Sequence, residues 1–152
     1  MSIIKLGVNS GKGKVLQKVR TFASITSSIS TSSQAYVASG IQALLTPTKS
    51  GNLIFVDFIS SISSHASSSN LRAKFYRKIG SGSMIDAGGG AYELGYNTST
   101  NTYSSLGGAV SYTTTSTDTI TYEVFFRAGS AANASLVHNG GSYSLTVTEV
   151  EQ

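Results

Sequence analysis

The sequence predicts an all-β protein: a single antiparallel β-sandwich, jelly-roll-like, with a short N-terminal arm. Strand patterns recur between clusters of Ser, Gly, Asn and Thr, and helical periodicity is nearly absent. Serine and threonine supply 28 and 16 of the 152 residues, which suits half-exposed strand faces. Seven to nine short strands in one domain are typical of a sandwich or jelly roll. We assign residues 1–13 to the arm and 14–152 to the sandwich domain.

The first half of the domain holds three predicted strands. The first covers residues 15–22, and a Ser/Thr-rich stretch follows it. The second covers 36–45, where Gly40 indicates a bend or bulge. A turn at 46–51 contains the one proline, Pro47, and leads to the strongest strand at 53–62. That strand is almost continuously apolar, which predicts a central strand buried on both faces.

The second half of the domain shows the same alternation of predicted strands and polar turns. Residues 71–79 alternate between a solvated basic face and a mostly apolar inner face. Residues 80–90 are predicted to be flexible, and 91–102 are ambiguous between a short edge strand and a loop. Residues 109–115 and 119–127 predict a hairpin that turns near 116–118. A loop at 129–141 and a last strand at 142–150 complete the domain; on that strand Tyr143, Leu145, Val147 and Glu149 share one face.

Several protein classes are excluded by composition. The chain has no Cys, which excludes a disulfide scaffold, a Cys-based zinc site, a Cys nucleophile and an iron–sulfur protein. No stretch reaches 18 apolar residues, so we expect no membrane partner. Residues 1–5 carry no signal-peptide apolar region, so no secretion is expected.

The sequence contains few residues of the kinds that catalysis needs. Only His65 and His138 could serve as a base for a nucleophilic serine, and no Gly-x-Ser-x-Gly motif is present. The seven acids are scattered singly, without the pairing of a glycosidase or the spacing of a metal site. We therefore expect no enzyme activity, no cofactor and no metal. Asp57, inside the apolar run, is interpreted as a strand residue that faces solvent, a sheet edge or a subunit interface.

Nine of the eleven basic residues fall into two clusters. The first holds Lys5, Lys12, Lys14, Lys18 and Arg20. It predicts a basic arm that binds an acidic protein surface through Lys5, Lys12 and Lys14, or else a solvated terminus. The second holds Arg72, Lys74, Arg77 and Lys78. Its alternation fits a strand face better than a nucleic-acid site, so nucleic acid is not an expected partner.

Three tyrosines, Tyr92, Tyr96 and Tyr103, cluster in a region rich in Gly, Asn, Ser and Thr. Tyrosines on such a loop are good recognition residues, because the ring is rigid and its tip is polar. They predict either a contact with a sugar or protein, or rings that cover the end of the sandwich.

Several segments resemble bacteriophage virion β-sandwich domains, which occur at tail-fibre tips and among head-decorating proteins. The resemblance rests on Gly-Lys-Val-Leu-Gln at 13–17, Tyr-Val-Ala-Ser-Gly-Ile at 36–41, Leu-Thr-Pro-Thr at 45–48 and the apolar strand from 52. Residues 140–150 resemble the last strand of these domains. The resemblance spans residues 13–150 and implies a jelly-roll-like, typically trimeric sandwich without catalytic residues.

The resemblance implies a virion location and a structural role without catalysis. Tail-fibre tips usually follow a long shaft, whereas about a dozen residues precede this domain. We therefore expect a homotrimeric capsid decoration or cement protein, whose partners are its own copies and the major capsid protein. The alternative is a receptor-binding tip module of a tail fibre or baseplate, which would recognise host surface polysaccharide through Tyr92, Tyr96 and Tyr103. A hydrolase on the same scaffold is disfavoured by the lack of a triad or acid pair.

Overall fold

A computed structural model describes residues 13–65, 70–88, 92–96, 102–130 and 132–152. Within these ranges the chain forms strands and turns, and no helix there is long and apolar enough to cross a membrane. The strands are β1 (Val15–Ser24), β2 (Ile29–Thr31), β3 (Val37–Leu45), β4 (Leu53–His65), β5 (Asn70–Ile79), β6 (Ile85–Asp86), β7 (Tyr92–Tyr96), β8 (Thr102–Thr113), β9 (Ile120–Ala128), β10 (Ala134–Val137) and β11 (Ser142–Val150).

The strands form two antiparallel sheets. The first, called the β4 sheet, has the order β1-β11-β4-β8, and β10 and β2 extend it beyond β11 along the second half of β4. The second, called the β9 sheet, has the order β3-β9-β5, with β6 and β7 sharing the far edge of β5. With β7 counted as the fourth strand of the β9 sheet, the two sheets have the orders β1-β11-β4-β8 and β3-β9-β5-β7. This is the strand order of a jelly roll.

The core lies between the two sheets and is built by alternation. Strand β4 contributes Ile54, Val56 and Phe58, which are almost fully buried. Strands β5 and β11 alternate as predicted, with Phe75, Leu145 and Val147 inside. These inner rows face one another across the sandwich, so the hydrophobic effect fixes which side of each strand turns inward.

Strand β4 corrects one prediction. It is central, because β11 and β8 pair with its two edges, but it is not buried on both faces. Phe55, Asp57 and Ile59 alternate with the core residues and are exposed. The apolar run is therefore longer than the core requires, and its outward half needs a different explanation.

The predicted hairpin at 109–127 is also wrong. Strand β8 belongs to the β4 sheet and β9 to the β9 sheet, so the residues between them cross from one sheet to the other. Backbone hydrogen bonds hold this crossing: Thr114 N donates to Asn52 O (2.8 Å), and Gly80 N donates to Thr119 O (2.9 Å). A hairpin and a crossing between two sheets share one sequence pattern, namely two strands separated by polar residues.

Other segments predicted as turns or loops contain short strands. Strand β10 lies inside the predicted loop 129–141, β2 inside the Ser/Thr-rich stretch after the first strand, and β6 inside the predicted flexible region 80–90. Strand β10 is fully buried. Pairing with neighbouring strands, rather than local propensity, decides these short segments.

The predicted bend at Gly40 is confirmed. The β3–β9 register shifts between Ala38 and Gln42, and Gly40 has a φ of 77°, a conformation that favours glycine. Glu123 on β9 accepts hydrogen bonds from Gly40 N (3.0 Å) and Gln42 Nε2 (2.8 Å). A nearly buried carboxylate therefore holds the bulge of β3.

Candidate functional site

The outer face of the β4 sheet carries a groove along β11. From Ser142 to Thr148 the outward residues of β11 are small hydroxyl residues, namely Ser142, Ser144, Thr146 and Thr148, and the row ends with Val150. Larger side chains stand on the strands at either side, β1 and β4. We call the surface formed by the β11 hydroxyls together with Phe22, Phe55 and Ile59 the hydroxyl trough.

Phe22 and Ile59 form opposite walls of this trough. Both residues are in register with Ser144, Phe22 from β1 and Ile59 from β4. Since neighbouring strands lie about 4.8 Å apart, the two walls are separated by about 10 Å. Phe22 is 56% exposed and Ile59 is 60% exposed. Exposed apolar residues that lie close together on one face are a feature of interaction surfaces.

Polar contacts fix the shape of the trough. Arg20 Nε donates to Ser144 Oγ (2.8 Å), and its guanidinium lies 5.0 Å from the centre of the Phe22 ring. At one end the Ser61 hydroxyl accepts a hydrogen bond from Ser142 N (2.8 Å). Asp57 faces solvent on β4, in agreement with one of the predicted environments. The trough therefore offers both hydrogen-bonding groups and apolar walls, a combination that suits binding rather than catalysis.

A second cluster lies on the outer face of the β9 sheet. Strand β5 presents a basic row there, as predicted, and β9 adds one ring and one cation. We call the following set the ring–cation face: Tyr36, Arg72, Lys74, Tyr76, Phe125 and Arg127. The Tyr76 and Phe125 rings are stacked, with centroids 4.1 Å apart and an angle of 25° between their planes. Because the rings come from adjacent strands, the register of β5 and β9 brings them together.

Two cations flank the third ring of this face. Lys74 Nζ and the Arg127 guanidinium each lie 5.4 Å from the centre of the Tyr36 ring, within the range of a cation–π interaction. Lys74 also donates to Asp86 Oδ2 at 2.7 Å. This hydrogen bond raises the pKa of Lys74 and lowers the pKa of Asp86 below its ordinary value of 3.8.

A buried carboxylate supports the strands below the trough. Glu149, on the inner face of β11, is 0% exposed. Its Oε1 accepts hydrogen bonds from Thr48 N (2.8 Å), Thr48 Oγ1 (2.9 Å) and Asn52 Nδ2 (2.7 Å), and its Oε2 accepts one from Gln17 Nε2 (2.6 Å). These bonds join β11, β1 and the turn between β3 and β4. They hold in place the two strands that form the floor and one wall of the trough.

The site residues predicted from sequence do not form one site. Lys14 is exposed beside β1, whereas Lys5 and Lys12 lie outside the described residues. Of the two possibilities for residues 91–102, a short edge strand or a loop, the structure shows the strand for Tyr92 and Tyr96, which are in β7, and Tyr103 is in β8. Strand β7 pairs with β5 and β8 pairs with β4, so these tyrosines stand on different sheets. Both strands lie at the edges of their sheets and have low hydrophobicity, so β7 stayed ambiguous in the sequence and β8 was predicted only in its second half.

The trough and the ring–cation face were not predicted as sites. The sequence signal for the trough was the continuous apolar run at 53–62, because the core needs only every second residue of a strand. The signal for the ring–cation face was the basic row of β5, but Tyr36 and Arg127 join it only through strand pairing. Over the ranges given above, no group of three or more His, Cys, Asp or Glu could hold a metal ion.

Comparison with known proteins supports the fold. No protein-family model matches the chain, and no curated protein matches it. A solved structure of infectious bursal disease virus, Gx strain, is similar with a TM-score of 0.53 and 14% identity, over 96% of this chain and 36% of that chain. The chain thus spans about a third of the length of that viral chain. The likeness confirms a β-sandwich shared with a viral protein chain.

Two further solved structures overlap more loosely. The Eiger TNF of S. frugiperda has a TM-score of 0.47 and 10% identity, over 89% of this chain and 91% of that chain. The CBM22-1 xylan-binding domain of Xyn10C from Paenibacillus barcinonensis has a TM-score of 0.40 and 14% identity, over 93% of this chain and 97% of that chain.

Proposed function

We propose that this chain is a non-enzymatic structural protein of a bacteriophage virion, a homotrimeric decoration protein that binds the assembled shell. The observation that carries the proposal is the hydroxyl trough, where exposed apolar walls line a floor of hydroxyl groups. Such a surface suits contact with protein, because its hydroxyls are cheap to desolvate, and the charges beside them, Lys18, Arg20 and Asp57, can pair with charges of a partner. The jelly-roll fold and the resemblance to phage virion domains support the same conclusion.

The occupant that we assign to the trough is a second copy of the chain. In a three-fold ring every interface is heterologous, so the trough of one copy meets a different surface of the next. The closed ring then binds the shell, and because it binds only the assembled lattice, it stabilises that lattice by mass action. The protein would then act by burying surface against its partners and not by catalysing a reaction.

Replacing both trough walls should abolish the trimer. We expect the double variant Phe22→Ser/Ile59→Ser to be monomeric by light scattering after size-exclusion chromatography, at a concentration where the wild type is trimeric. The matched control is Leu44→Ser, because Leu44 is a similarly exposed apolar residue on the other sheet. It should remain trimeric. A monomeric wild type, or a double variant that still forms trimers, would contradict the assignment.

Location on the particle tests the virion role directly. We expect an antibody label against this protein to cover the heads of intact virions in electron micrographs. Capsids stripped of the protein should break at lower temperature than decorated capsids, because a lattice-specific ligand is lost. Label confined to the tail would favour the receptor-binding alternative, and unlabelled particles would refute the virion role.

A further inference from the structure

We propose that the ring–cation face binds an acidic polysaccharide. It lies on the outer face of the β9 sheet, opposite the trough, so the proposal does not depend on the trimer or on the virion role.

The aromatic rings provide the platform. The C–H face of a sugar ring is apolar and packs on an aromatic ring, while the sugar hydroxyls at the edge form hydrogen bonds. The stacked Tyr76 and Phe125 rings support each other, and Tyr36 adds a third ring at the same end of the sheet as Arg127. Each of the three residues is half-buried, so the rings are held by packing and still reach solvent.

The cations beside these rings select the charge of the sugar. Arg127 Nη1 donates to Gln34 O at 3.1 Å, which orients the guanidinium next to Tyr36. A guanidinium binds a carboxylate through two parallel hydrogen bonds. Lys74, whose Nζ lies at the same distance from the Tyr36 ring, offers a second cation. A uronate residue beside Tyr36 would therefore bring its carboxylate to Arg127, while Lys74 keeps its ion pair with Asp86.

The carboxylates of the face favour a sugar over a polynucleotide. Asp86 is exposed and accepts from Lys74, and its carboxylate can also accept a hydrogen bond from a sugar hydroxyl. Glu123 is buried and already accepts two hydrogen bonds from β3. The Tyr76 and Phe125 rings are in contact with each other, which leaves no gap for a base between them. Mixed donors and acceptors beside flat rings match a sugar chain.

The test uses the purified full chain and soluble polygalacturonate, measured by calorimetry. We expect binding that weakens as salt rises, because the carboxylate–cation contacts are screened. Tyr36→Ala and Arg127→Gln should each lower the affinity about fivefold, the size of one cation–π or charged contact. Arg127→Lys keeps the charge and should lose less. The matched control is Lys49→Gln, which removes one charge in the exposed turn between β3 and β4 and should bind like the wild type.

Four results would overturn the proposal: no binding to polygalacturonate, equal binding to neutral dextran, tighter binding to single-stranded DNA or to an acidic protein, or an equal loss in Lys49→Gln. Thermal melting of each variant separates lost contacts from lost folding. If Tyr36→Ala is unfolded, the salt dependence of the wild type and the pair Arg127→Gln and Arg127→Lys still decide. None of these results depends on whether the protein forms trimers.

Discussion

Replacing Glu149 by Ala should lower the free energy of unfolding by about 3 to 4 kcal/mol. The substitution removes the acceptor for Thr48, Asn52 and Gln17. The Asn52 donor is then left in a buried site and the Gln17 donor in a half-buried one. A buried donor without a partner costs its full desolvation free energy, which exceeds the net value of the hydrogen bond that it lost. The turn at 46–51 would also lose its main contact with β11.

Glu149→Gln is the sharper variant, because it keeps the shape of the side chain. One carboxylate oxygen becomes an amide group that donates, and it then faces a donor of Gln17 or of Thr48 and Asn52. Gln17 is not free to turn its amide round, since its Nε2 also donates to Thr46 O at 2.6 Å. We expect a loss of about 2 kcal/mol.

The same carboxylate should make stability depend on pH. Burial alone would raise the pKa of Glu149, but the hydrogen bonds from Asn52, Gln17 and Thr48 outweigh it and hold the pKa below its ordinary value of 4.5. In the unfolded chain the pKa returns to the ordinary value. The stabilisation is therefore complete above pH 4.5 and is lost as the pH falls through the lower, folded-state pKa.

Denaturant unfolding at a series of pH values measures both effects. The difference in stability between wild type and Glu149→Gln should be largest at neutral pH and should shrink in acid. The matched control is Glu151→Gln, the same substitution two residues further along the chain at a more exposed position. It should be close to wild type throughout. A constant difference between wild type and Glu149→Gln at all pH values would show that this carboxylate does not contribute the acid sensitivity.

Local patterns in the sequence predicted much of the fold. The alternation in 71–79 and 142–150 assigned the inner and outer faces of β5 and β11 correctly, because side chains of a strand point alternately to its two sides. The alternation also placed Glu149 in a row with three apolar residues. A charge in that row was a signal for a buried, hydrogen-bonded carboxylate, although the sequence names none of its donors.

The sequence patterns did not predict which distant strands pair with each other. The hairpin at 109–127 failed because the residues at 114–119 can either reverse a strand or carry it to the other sheet. The double burial of β4 failed because continuous apolarity does not show whether the outward row meets the core or a partner. Both errors concern what lies beside a strand, which is set by residues far away in the chain.

The candidate surfaces depend on register in the same way. Phe22 and Ile59 are separated by more than thirty residues and face each other only because both align with Ser144. A shift of one residue in either pairing would turn Phe22 or Ile59 toward the core. Tyr36 and Arg127 likewise meet only through the fold. Composition showed that the chain is rich in hydroxyls and poor in charge, but register arranged those groups into a trough and a ring–cation face.

The end of the β9 sheet beside Arg127 should be sensitive to one methyl group. Gly129 follows β9 directly, and its backbone N donates to Asn70 O at 2.7 Å. A Cβ at position 129 would overlap the side-chain amide of Asn70, so Gly129→Ala must displace that amide or part the strands. We expect a loss of about 2 kcal/mol in the free energy of unfolding.

The cause can be isolated with a double-mutant cycle. In an Asn70→Ala background the overlapping amide is gone, so Gly129→Ala should cost less than about 0.5 kcal/mol. The matched control is Gly107→Ala on β8, where the new Cβ would lie 3.6 Å from Phe58 O, an ordinary contact. This control should be neutral or slightly stabilising, because alanine restricts the unfolded chain more than glycine does. An equal cost of Gly129→Ala in both backgrounds would mean that the backbone of β9, rather than the Asn70 amide, requires glycine there. The close approach of β5 and β9 next to Arg127 would then be a property of the backbone and not of the Asn70 side chain.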